Sequence, residues 1–213
     1  MEQLDDLLDH EEGRVVLRRS LQRGISIIET MIALAIVALV LFVAVPSFTI
    51  FLQNQQIKNA ATSALNGLTL ARAEAIRRNL PVRFQFVSDL TAACALSTTS
   101  LAWVVSQANP AGACNTAPSD TTAPQIIQSR SATEGTQNAV VSVTGGSTVT
   151  FTGLGRAQAG GITQIDFSNS TGTCQHIDPI NGKMRCLRIM VSTGGQARMC
   201  DPKVTAADDP RKC

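Results

Sequence analysis

Glu29 is the single charged residue between Gly24 and Ile57. Around it runs RGISIIETMIALAIVALVLFVAVPSF, Arg23–Phe48, almost wholly apolar. A carboxylate well inside a bilayer costs ~2.5–3.5 kcal/mol on insertion scales, so one at such a place reads as functional, with a partner of opposite charge. Six cysteines, Cys94, Cys114, Cys174, Cys186, Cys200 and Cys213, form the second group that could do chemistry. None stands in C-x-x-C spacing, so zinc and redox signatures are absent and no metal is implied. All six follow the apolar run, which points to disulfides in an oxidising compartment. The expectation is local pairing, Cys94–Cys114, Cys174–Cys186 and Cys200–Cys213. Fifteen connectivities are open to six cysteines, and free buried thiols are the alternative. Of two histidines, His10 and His176, the second falls between Cys174 and Cys186 and reads as a lone surface residue. There is no Gly-x-Ser-x-Gly elbow, Walker A loop or His-Glu-x-x-His pair. Neither an enzyme nor a cofactor is expected.

The elements that must carry these residues follow from composition. Residues 1–24 hold six acids and four bases. The remaining chain keeps fourteen bases and ten acids, too mild a surplus for a dedicated nucleic-acid protein. Thr30–Ile57 is uncharged, and 20 of its residues as a helix would cross the ~30 Å hydrocarbon core. A membrane span is expected at about 30–52. Arg14, Arg18, Arg19 and Arg23 on one flank predict a cytoplasmic N-terminus, with the rest of the chain outside. A cleaved secretory signal would have a shorter apolar core and a small-residue site after it. Beyond the membrane, Ile57, Ala61, Ala64, Leu68, Ala71 and Ala75 recur on one helical face. Glu74 and Arg78 form an i,i+4 pair. Leu80-Pro81 ends the helix near Asn79, and Pro46 should kink it.

Eight strands are expected after the helix: 81–87, 101–107, 124–130, 139–143, 147–151, 164–168, 186–192 and 196–200. Gly145-Gly146 and Gly194-Gly195 read as hairpin turns. Residues 108–123 read as a loop, Trp103 as a core residue or one beneath that loop, and Asp166 as solvent-facing. The expected class is α+β, a long N-terminal helix packed on an antiparallel sheet domain. The organisation is 1–24, a leader; 25–79, the helix; and 80–213, the β-rich domain.

The run Arg23–Phe48 resembles the class III signal of type IV pilins and pseudopilins. LTLARAEAIRRNLPV (Leu68–Val82), FTGLGRA (Phe151–Ala157) and the tail ARMCDPKVTAADDPRKC (Ala197–Cys213) resemble the GspH/FimT group of minor pilins. Together these marks span most of the chain. The resemblance implies cleavage by a prepilin peptidase between Gly24 and Ile25, and N-methylation of Ile25. It makes Glu29 the residue that brings the subunit into a filament, and Pro46 the kink. An α-amine at Ile25, ordinarily of pKa ~7.7–8, would be largely cationic at neutral pH and could neutralise Glu29 of a neighbouring subunit. Implied partners are the peptidase, other pilins or pseudopilins and the inner membrane. The domain would be periplasmic, then part of a surface pilus or a periplasmic pseudopilus.

Some FimT-like pilins bind DNA through a Gly-Arg-x-Arg run near the C-terminus. The matching run here is GQAR, Gly195–Arg198, with Gln196 in place of the first arginine. The bases that DNA would meet are Arg188, Arg198, Lys203, Arg211 and Lys212, with Lys183 and Arg185 nearby. Asp201, Asp208 and Asp209 dilute them, no aromatic residues interleave to stack bases, and a solvated surface of mixed charge is the favoured reading. Three functions compete with a minor type IV pilin: a type II secretion pseudopilin, a DNA receptor for uptake, and an enzyme merely anchored by its N-terminus.

Overall fold

A computed structural model describes residues 25–213. They fall into two compact units, one ending at Val43 and the other Ala44–Cys213. One helix, α1 (Ile27–Arg78, 52 residues), passes through both without interruption. In the first unit its described side chains are exposed, among them Ile32, Leu34, Val37 and Leu41. Of the described helices, α1 alone is long and apolar enough to cross a membrane.

In the second unit α1 turns one stripe inward. Ile57, Ala61, Ala64, Leu68, Ala71 and Ala75 are buried, as their spacing of three and four residues requires. Five side chains tie the helix to what surrounds it, one of them Arg78, whose Nη1 lies 2.6 Å from Asp120 Oδ1. Asn54 Oδ1 accepts the Arg185 amide at 2.7 Å, and Gln56 Oε1 accepts the Asn138 amide at 3.3 Å. Trp103 Nε1 donates to Ser63 Oγ at 3.0 Å, and Arg72 Nε donates to the Gly155 carbonyl at 3.0 Å. At about 100° per residue, Asn54 and Arg72 lie on one flank of the buried stripe, and Gln56 and Ser63 on the other. The helix stops at Arg78 because Asn79 takes φ 50°. The Leu80 amide then reaches back to the Ala75 carbonyl at 3.3 Å, and the Asn79 amide to Ile76 at 3.3 Å. This is a Schellman ending, with asparagine in the left-handed seat.

Eight strands follow: β1 (Val82–Val87), β2 (Ala102–Ser106), β3 (Ile126–Arg130), β4 (Ala139–Thr144), β5 (Thr148–Phe151), β6 (Gln164–Asn169), β7 (Leu187–Val191) and β8 (Ala197–Cys200). They form two four-stranded antiparallel sheets, ordered β3-β2-β1-β5 and β4-β6-β7-β8. The core between helix and sheets holds Phe84, Phe86, Phe151, Phe167 and Trp103. Phe84 meets Phe86 edge-on at 5.0 Å and Trp103 at 5.6 Å. A smaller core lies apart from the main one: Val87, Ala102, Val104 and Ile126 pack with the Cys94–Cys114 disulfide.

One expected turn is not a hairpin. Gly145-Gly146 does not fold β5 back onto β4; it hands the chain from one sheet to the other. β5 pairs with β1 in the register Val82↔Phe151, while β4 pairs with β6. The free side of β5 is taken by the returning segment, where Gln158 and Ile162 amides donate to Thr150 and Thr148 carbonyls at 2.9 Å. Gly194-Gly195 does join two paired strands, β7 and β8. The β domain is therefore built on two sheets.

Candidate functional site

The N-terminal candidates sit at the start of α1. Gly24 lies outside the described residues. Ile25 and Ser26 precede the helix, and Glu29 occupies its first turn. A carboxylate there is favoured by the unsatisfied amides of a helix N-terminus. Thr30 holds the turn, its amide donating to Ser26 O at 3.1 Å and its hydroxyl to Ile27 O at 2.7 Å. Glu29 is exposed and makes no ion pair among the described residues. The backbone stays helical through Pro46.

The C-terminal bases do not form one free cationic surface. Arg188 on β7 lies across from Asp166 on β6, Nε to Oδ1 2.6 Å. Arg211 pairs with Asp209 at 2.7 Å, and its guanidinium lowers that carboxyl to about 2. Arg185 reaches the buried Asp201 at 3.4 Å. Lys203 Nζ donates to Gln175 at 2.9 Å, and Arg198 Nη1 to the Pro210 carbonyl at 3.4 Å. Asp166 lies on the partly exposed face of β6, alternating with the buried Ile165 and Phe167 as expected.

Disulfides join Cys94–Cys114, Cys174–Cys186 and Cys200–Cys213. A ring nitrogen of His176 lies within 4.8 Å of the Cys174 and Cys186 sulfurs. Their sulfurs are bonded to each other, so no thiolate remains to hold a metal.

Three of the sequence segments singled out earlier meet at one carbonyl. Arg72 from the helix donates to Gly155 O, within FTGLGRA. Gly195, the first residue of GQAR, lies so close that a Cβ there would stand 1.9 Å from the same oxygen. Both glycines have positive φ, 73° and 79°. Sequence reasoning did not foresee this junction. Its one visible signal was glycine at both places, since only glycine combines positive φ with such an approach.

An exposed apolar helix with a lone acid in its first turn, continuous with a helix stripe buried under two antiparallel sheets, defines a helix-anchored β-domain subunit. The sequence profile of the family described as type II transport protein GspH matches residues 60–195. The chain belongs to the GspH family. Two solved structures of the type IV minor pilin FimU from Pseudomonas aeruginosa are similar to it. One has 13% identity and TM-score 0.42, covering 70% of this chain and 91% of the other. The second has 12% identity and TM-score 0.40, covering 67% and 90%. No curated protein sequence matches at a significant level. GspH-type proteins are structural subunits that associate with other pilins or pseudopilins, and the apolar helix fits a single-pass membrane anchor.

Proposed function

We propose that the chain is a minor type IV pilin: residues 1–24 are a leader, a prepilin peptidase cuts between Gly24 and Ile25, and Ile25 is then N-methylated. The helix holds the precursor in the inner membrane with its N-terminus cytoplasmic, and residues 80–213 face the periplasm. In the filament, Glu29 neutralises the α-amine of a neighbouring subunit. The observation that carries this reading is the placement of Glu29, unpaired in the first turn of an exposed apolar helix. In a low-dielectric bundle, losing one partner of such a pair costs ~3–5 kcal/mol. N-terminal mass spectrometry of protein from sheared filaments tests it. A methylated Ile25 is expected; an intact Met1, or any other first residue, overturns the reading.

A type II secretion pseudopilin is the second reading, favoured by the description of the matching family. Recovery of the chain from secretion pseudopili in place of surface pili would decide for it. DNA reception draws less support, because arginines nominated for it are occupied by carboxylates.

A further inference from the structure

The Cys174–Cys186 loop, CQHIDPINGKMRC, carries two of the most exposed apolar side chains outside α1, Ile177 at 68% and Ile180 at 90%. The loop is not slack. Asp178 Oδ1 accepts the Ile180 and Asn181 amides at 3.1 and 2.9 Å. The Gly182 amide returns to Asp178 O at 2.9 Å, and the Gln175 amide to Met184 O at 2.9 Å. The disulfide closes the base, and the Arg185 amide pins it to Asn54 of α1 at 2.7 Å. Two isoleucines are thus held outward on a rigid frame, against the ordinary preference for burying them.

Where the loop sits says what covers them. Asn181, Lys183 and Met184 line a cleft of about 300 Å³ with Thr49, Ile50 and Gln53 of the helix. Leu52 is the last residue of the apolar run, and Phe48, Phe51 and Leu52 beside the cleft are themselves exposed. Thr49 is three residues before Leu52, about 5 Å along a helix axis. The headgroup layer on each side of a bilayer is about that thick. A helix leaving the membrane near Leu52 therefore brings this loop to the level of the headgroups. The charges agree. Lys183 is exposed and has no ion-pair partner among the described residues. Arg185 is more than half exposed despite its contact with Asp201. The one acid of the loop, Asp178, spends its oxygens on the loop's own amides and on Asn181 Nδ2.

We propose that the Cys174–Cys186 loop is a second membrane contact, inserting Ile177 and Ile180 into the outer face of the same bilayer while Lys183 and Arg185 meet anionic phospholipid headgroups. This rests on the reading of α1 as a membrane span. Paired apolar and basic residues are what interfacial anchoring needs. The contact holds the domain against the membrane before assembly and must be released when the subunit leaves the bilayer.

Tryptophan quenching by brominated lipid tests it in the full chain reconstituted into vesicles of phosphatidylcholine with a minor share of phosphatidylglycerol. Three variants are compared after subtraction of the parent, whose Trp103 is buried: Phe48→Trp in the helix, Ile180→Trp in the loop, and the exposed Leu154→Trp beyond β5. The expected result is quenching of the first two and not of the third. Adding Lys183→Glu to Ile180→Trp should lower the docked-to-free ratio by about fivefold or more. If Phe48→Trp is quenched but Ile180→Trp is no more quenched than Leu154→Trp, the loop contact is wrong and the membrane helix stands. If neither is quenched, both fall. Ile180→Trp unquenched in vesicles but shielded in assembled filaments would assign the face to a neighbouring subunit, and overturns the lipid contact.

Discussion

Gly195 lies flat against Gly155: a Cβ at position 195 would be 1.9 Å from the Gly155 carbonyl oxygen. The oxygen already accepts from Arg72, and the atoms in the way are backbone, so the chain cannot yield cheaply. Gly195→Ala should destabilise the protein by about 2–4 kcal/mol, combining left-handed strain with a backbone clash. Denaturant unfolding of the full chain in detergent, followed by far-UV circular dichroism, measures it. A variant as stable as the parent would show that the junction is not a close contact.

Gly67 poses the same question inside α1. A Cβ there would come within 2.6 Å of Phe84 Cε2, and Phe84 is fully buried. Alanine is normally the better helix former by ~1 kcal/mol. Overpacking against a fixed ring costs ~1–3 kcal/mol and should reverse that sign. Gly67→Ala is therefore expected to lower the unfolding midpoint; a rise would mean that helix and sheet can separate slightly without cost.

Glu74 gathers two cations. Its Oε2 is 2.6 Å from Arg77 Nη2 and 2.8 Å from Arg78 Nε, and Arg78 also reaches Asp120 at 2.6 Å. Hydrogen bonds from Arg77 first, then Arg78, hold its carboxyl below the ordinary 4.5. Because the folded state binds this proton less readily, the contribution is fully present above 4.5 and is lost as pH falls through the folded value. Glu74→Gln should lower thermal stability near pH 6, and the gap to the parent should close as pH falls through the folded value. A gap independent of pH would assign the effect to packing.

Glu29→Ala should leave membrane insertion intact and abolish incorporation into filaments. Membrane fractionation and immunoblotting of sheared filaments separate the two steps. Normal incorporation would remove Glu29 from assembly.

DNA should bind the chain weakly. Electrophoretic mobility shift at low salt, with duplex and single-stranded probes, is expected to show no specific complex, because Arg188 and Arg211 are paired with acids. A complex that weakens steeply with salt and is lost in Arg198→Ala would reinstate the site.

What could be read from the chain and what could not divide along sequence distance. The buried stripe from Ile57 to Ala75 and the Glu74–Arg78 pair depend on neighbours three or four residues apart, and both were legible. All eight strands were visible as short apolar alternations bounded by turn residues. The course at Gly145-Gly146 was not, because β5 chooses β1, more than sixty residues upstream, over its neighbour β4. Glycine signals a change of direction without saying toward which sheet. The site divides in the same way. Glu29 stands out as a lone charge in an apolar run. The Arg188–Asp166 pair exists only through the register of β6 on β7, so the sequence offered Arg188 as a free base.

Four of the side-chain ties of α1 have a mechanical meaning. Asn54 and Arg72 fasten one flank of the rod, Gln56 and Ser63 the other. A shaft clamped on both sides cannot spin in its bearing. Torque applied to the stretch of α1 within the second unit passes into β2 at Trp103 and into three loops, at Asn138, Gly155 and Arg185.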